Sequence, residues 1–110
     1  MADVSGISLN NPGPDVRASY WMVSAVWDEA VGMDTRGMRT FLGDSGIDTR
    51  PFFSPLSSLA AYKHLPGVGS YREKNTVSYR LKNHGINLPS SLTLKEAEVA
   101  YVCKKIREVI

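Results

Sequence analysis

The chain has 110 residues, 43% of them hydrophobic, with 13 Lys and Arg against 11 Asp and Glu and a formal net charge of +2. One domain fits that length and a two-domain enzyme does not, while the scattered, balanced charge gives no basic stripe for a nucleic-acid partner. No apolar run approaches the ~20 residues of a membrane helix, Met1, Ala2 and Asp3 open without a secretory leader so that the cytoplasm is the expected location, and the single cysteine, Cys103, excludes an internal disulfide.

Residues 1–18 carry Gly6, Pro12, Gly13, Pro14 and the Asn10-Asn11 pair, a composition that predicts an extended or mobile N-terminal arm ahead of a single domain at 19–110. From Tyr20 to Trp27 the run is aromatic and β-branched, without Gly or Pro, and reads as a strand. A loop over Asp28 to Met33 leads to Asp34, placed to cap a helix whose Met38, Phe41 and Leu42 recur at i, i+3 and i+4 and which Gly46 closes. Ile47 to Phe53 reads as a second strand, and because Pro51 cannot donate to a ladder that strand belongs at an edge or leaves the sheet there.

Pro55, Pro66, Gly67 and Gly69 punctuate a long connection with one helical turn expected around Leu59 to Tyr62. Asn75 or Thr76 can cap a helix to about Asn83, ended by Gly85, after which Ile86 to Leu88 makes a short strand before Pro89. Thr93 with Glu96 reads as a capping box, Leu92 and Ala97 as its hydrophobic staple, and Val99, Val102, Cys103, Ile106 and Ile110 as the apolar stripe of a helix from Leu94 to the C-terminus. The order predicts an α/β or α+β fold, a small sheet of three to four short strands packed by about three helices.

The usual catalytic constellations are missing. There is no phosphate loop, no nucleophile elbow and no zinc helix. Gly67-Val68-Gly69 lacks a third glycine and reads as a turn; His64 and His84 stand apart without further ligands, as surface or interface side chains; Cys103 on an apolar stripe reads as packing. One segment stands out, Gly46-Ile47-Asp48-Thr49-Arg50-Pro51-Phe52-Phe53-Ser54-Pro55-Leu56-Ser57-Ser58-Leu59, where two prolines stiffen a backbone presenting a guanidinium and two rings. Arg50 suits bidentate recognition of phosphate, and Phe52 and Phe53 can wall a sugar or nucleotide. The alternative reading puts one ring in the core and Arg50 against a surface carboxylate.

With its flanks, this segment resembles the C-terminal small domain of the DegT/DnrJ/StrS family of pyridoxal-phosphate-dependent sugar aminotransferases, most of all its perosamine-synthase group. The likeness rests on Ser19-Tyr20-Trp21-Met22, on the arginine-proline-diphenylalanine stretch followed by Pro55-Leu56-Ser57-Ser58-Leu59, on Gly85-Ile86-Asn87-Leu88-Pro89-Ser90, and on the closing helix. The resemblance implies a domain that packs on a larger one holding pyridoxal phosphate, with Arg50, Phe52, Phe53 and Ser57 on the substrate side of the cleft. None of the six lysines stands in the family's Schiff-base context, so the chain alone is expected to hold no cofactor and not to transaminate. It also implies a nucleotide-linked sugar as ligand and, as partner, a large pyridoxal-phosphate domain or a second copy of the chain. A non-catalytic binding or oligomerisation module derived from that domain is the second expectation.

Overall fold

A strand buried on one face must alternate small or apolar inward residues with outward ones, and Val23–Trp27 (β2) does so, with Ala25 and Trp27 each 1% exposed. The computed structural model describes residues 4–110; Met1, Ala2 and Asp3, the tip of the expected arm, lie outside the described residues. Gly85–Leu88 (β4) pairs antiparallel with β2, setting Ala25 opposite Ile86 and Ser24 opposite Asn87. Ile7–Leu9 (β1) pairs with the other side of β2, and the two-residue Arg50–Pro51 (β3) with β4, giving the order β1-β2-β4-β3. All neighbours are antiparallel, so the fold is α+β.

The helices are Thr35–Asp44 (α1), Tyr71–Lys74 (α2), Thr76–Asn83 (α3) and Glu96–Arg107 (α4). Met38 and Leu42 from α1 and Ile106 from α4 join Ala25, Trp27, Ile47 and Ile86 in one buried cluster, which places α1 and α4 on the same side of the sheet. The Trp27 indole N–H donates to the Met33 carbonyl at 2.7 Å, and its ring meets that of His84 edge-on at 6.4 Å. Buried Thr35 joins three elements: its Oγ1 lies 3.0 Å from the Lys82 carbonyl and 3.1 Å from the Gly85 carbonyl, and accepts the Gly85 N–H at 3.3 Å. This seam fixes where α3 ends and β4 begins.

Asp34 caps α1 as its sequence predicts, Oδ1 accepting from Gly37 N–H at 2.8 Å, and Gly46 follows with φ +75°. Replacing Asp34 with Ala is expected to cost about 1 kcal/mol, lowering Tm by roughly 4–8 °C in a calorimetric scan.

Several elements differ from the sequence reading. Ile7–Leu9 of the arm is a paired edge strand, because Asn10 anchors it to β2: Asn10 Nδ2 donates to the Met22 carbonyl at 3.1 Å and Asn10 Oδ1 accepts from Ser24 N–H at 3.0 Å. The strand expected from Tyr20 starts at Val23, since Tyr20 turns the chain with φ +49° and Trp21 is 75% exposed. Of the strand expected over Ile47 to Phe53 only Arg50–Pro51 pairs, at the sheet edge where Pro51 needs no donor. The expected loop after Asp28 holds a 3₁₀ turn at Glu29–Val31, and the long connection holds others at Leu56–Ser58, Ala60–Tyr62 and Val68–Ser70 before α2. Gly85 opens β4 instead of ending α3.

The capping box stands two residues later than expected. Glu98 reaches back to the Lys95 N–H at 2.7 Å, while Thr93 bonds only Ser91; Leu92 is fully exposed, so no staple forms with Ala97. Along the expected stripe Ile106 is buried, Val102, Cys103 and Ile110 are half-buried, and Val99 is exposed. No helix among the described residues is long and apolar enough to cross a membrane.

Candidate functional site

The sheet face opposite the core carries polar residues where β2 and β4 meet. Ser24 and Asn87 are cross-strand partners, so their side chains share a face, and Ser24 Oγ donates to Asn87 Oδ1 at 2.8 Å. Beside them opens a cleft of about 420 Å³ whose lining includes Ser24, Asn87, Phe52, Phe53, Leu56 and Lys82. Phe53 is 83% exposed on its wall and Leu56 68%.

Close packing holds the wall in place. The Phe52 ring lies against Gly85, where an added Cβ would stand 2.8 Å from its Cε2. Pro55 is buried, and Ser58 Oγ donates to its carbonyl at 2.7 Å. Ser57 Oγ stands 3.2 Å from the Tyr79 hydroxyl of α3, which ties the loop to that helix.

Of the four residues singled out from the sequence, Phe52 and Phe53 meet in this cleft. Arg50 lines a different one, of about 600 Å³, between residues 46–50, Leu94 and the Tyr101 and Val102 side of α4, and Asn87 lines this cleft as well. Its guanidinium is 3.7 Å from the Asp48 carboxylate, both side chains largely exposed, a pairing worth little in water. Ser57 faces a third hollow with Tyr62 and Tyr71. Sequence reasoning passed over Asn87, although a polar residue between Ile86 and Leu88 is itself a signal: a buried amide must find partners. His84, expected as a surface or interface side chain, is half-buried against Trp27, with Nδ1 buried and unpartnered.

Pyridoxal phosphate, the group that the resemblance implies, needs a lysine with a lowered pKa, an acid for the pyridine nitrogen and a cup for the phosphate. The cleft at Phe52 and Phe53 is lined by no carboxylate. The carboxylates of the other cleft are engaged, Asp48 with Arg50 and Glu98 with the Lys95 N–H. Lys105 is held above its ordinary range by its hydrogen bond to Glu108, the opposite of what a nucleophilic lysine requires. The donor set does not fit the cofactor. Among the described residues no group of three or more His, Cys, Asp or Glu stands in a metal-ligating arrangement.

Residues 1–107 match the DegT/DnrJ/EryC1/StrS aminotransferase family. The chain is 36% identical over 89 residues to the GDP-perosamine synthase of Vibrio cholerae, covering 81% of this chain and 23% of that protein. It is 32% identical over 102 residues to the GDP-perosamine synthase of Escherichia coli O157:H7, covering 93% and 26%. The solved aminotransferase TlmJ of Streptoalloteichus hindustanus shares the fold, with a TM-score of 0.75 at 23% identity over 98% of this chain and 27% of that one. The chain thus spans about a quarter of the length of the relatives it matches, and it belongs to the DegT/DnrJ/EryC1/StrS aminotransferase family.

Proposed function

We propose that this chain is the small-domain portion of a pyridoxal-phosphate-dependent nucleotide-sugar aminotransferase, supplying the substrate-side wall of a cleft whose reactive groups belong to a larger domain. The observation that carries the reading is the joint one of family membership over about a quarter of the relatives' length and an open sheet face flanked by exposed Phe53 and Leu56. Exposed apolar residues of this size mark a surface that is covered in the working assembly. In this reading Phe53, backed by Phe52, faces the sugar; Arg50 at the sheet edge meets the nucleotide's phosphates; Ser57 fixes the loop through Tyr79. The similarity to two GDP-perosamine synthases favours a GDP-linked sugar as substrate.

The test is reconstitution. Pyridoxal phosphate titrated into the purified chain is expected to leave its visible spectrum that of free cofactor. Co-expression with the remaining part of the Vibrio cholerae enzyme is expected to yield a complex that retains cofactor through gel filtration and aminates a GDP-linked keto sugar. A complex that forms and stays inactive would favour the second reading, a binding or oligomerisation module that uses the same exposed surface.

A further inference from the structure

We infer that Asn87 is a ligand-binding residue whose side-chain amide donates a hydrogen bond to a ring oxygen substituent, hydroxyl or carbonyl, of a sugar seated against Phe53, and that Ser24 is the positioning residue that aims it. The inference rests on the nucleotide-sugar reading above and adds the polar group that reads the sugar.

A primary amide has an acceptor oxygen and two N–H donors. Asn87 is 8% exposed, and its Oδ1 is taken by Ser24 Oγ at 2.8 Å. That bond turns Nδ2 away from Ser24, and among the described residues Nδ2 meets no protein acceptor. It is not sealed in either: the one fully buried, unpartnered side-chain polar atom among the described residues is His84 Nδ1. The strand therefore holds a donor pair at a residue that lines both the cleft of Phe53 and the neighbouring cleft of Arg50. An aliphatic residue between Ile86 and Leu88 would present no such donors.

The surroundings select the occupant. Phe53 offers a ring face to the C–H side of a pyranose, Ser54 and Ser78 line the same cleft, and Lys82 is its cation, placed for the anionic linkage of an activated sugar. An apolar side chain from another protein would fill the volume and leave the amide unpaired. A sugar satisfies both the ring and the donors.

The test uses the ¹⁵N-labelled full chain titrated with GDP-mannose, a GDP-linked hexose, and with GDP alone. GDP-mannose is expected to move both side-chain NH₂ resonances of Asn87 together with the backbone amide of Phe53, and GDP to leave the Asn87 pair in place. Asn87→Asp keeps the acceptor for Ser24 and the shape but removes the donors, and is expected to weaken GDP-mannose at least tenfold. Ser24→Ala frees the amide to rotate, and is expected to broaden the Asn87 pair and weaken binding severalfold without changing the rest of the spectrum. The wild-type response needs no variant, so a misfolded substitution leaves the test intact. An Asn87 pair that ignores GDP-mannose, or that answers GDP equally, overturns the inference, as does undiminished binding by Asn87→Asp. Reconstitution that fails while the Asn87 pair responds defeats the aminotransferase reading alone; reconstitution that succeeds while the pair stays still defeats this site alone.

Discussion

Trp27→Ala is expected to remove about 4 kcal/mol of stability, the largest loss open to a single side chain of this protein. Trp27 is 1% exposed at the centre of the buried cluster, between the sheet and α1, and no other buried side chain there is as large. Truncation leaves a cavity that Met38, Leu42 and Ile106 can only partly close, and it strands the Met33 carbonyl that the indole N–H satisfies at 2.7 Å. A domain of this size is stable by about 5–15 kcal/mol, so the variant should sit close to the folding threshold at physiological temperature. Urea denaturation followed by far-ultraviolet circular dichroism measures this. Trp27→Phe separates the two causes: it keeps a ring in place and loses the N–H bond with part of the volume, for an expected cost of about 1–2 kcal/mol. A Trp27→Ala midpoint within experimental error of wild type would mean that α1 and the sheet are not packed around this ring.

Gly85→Ala is expected to destabilise the protein as well, and it acts on the fold and the cleft together. An added Cβ would lie 2.6 Å from the Leu81 carbonyl oxygen and 2.8 Å from Phe52 Cε2. The first neighbour is backbone and cannot rotate away. The second can move, and it is the ring that backs the wall of the candidate site. The Gly85 backbone is held at both ends by Thr35 Oγ1, so shifting it opens the seam between α1, α3 and β4. Overpacking of this kind costs about 1–3 kcal/mol, read from the urea midpoint. The displaced Phe52 should abolish the response of the Phe53 amide to GDP-mannose even where the variant remains folded. Adding Phe52→Ala should recover part of the loss and no more, because the Leu81 carbonyl stays where it is. Full recovery in the double variant would show that the ring alone demands a glycine here.

The two changes show how closely fold and candidate site are joined. Phe52 is at once a packing partner of Gly85 and part of the cleft lining. Phe52 is half-buried against Gly85 and Phe53 is 83% exposed, and both line the same cleft.

Local sequence determined a good deal by itself. The α1 cap at Asp34, the apolar positions Met38 and Leu42, the turn at Gly46 and the edge placement of Pro51 are all decided within a few residues by backbone and side-chain chemistry. So is the family pattern along the chain. What only the tertiary structure decided depends on residues far apart in sequence. Ile7–Leu9 becomes a strand because Asn10 finds β2, not because its own residues favour extension. The α4 cap moves to Glu98 because the Ser91 and Thr93 hydroxyls bond each other first. Asn87 becomes conspicuous once Ser24, 63 residues away, occupies its acceptor. Propensity and spacing act along the chain, whereas the partner of a buried polar group is chosen across it.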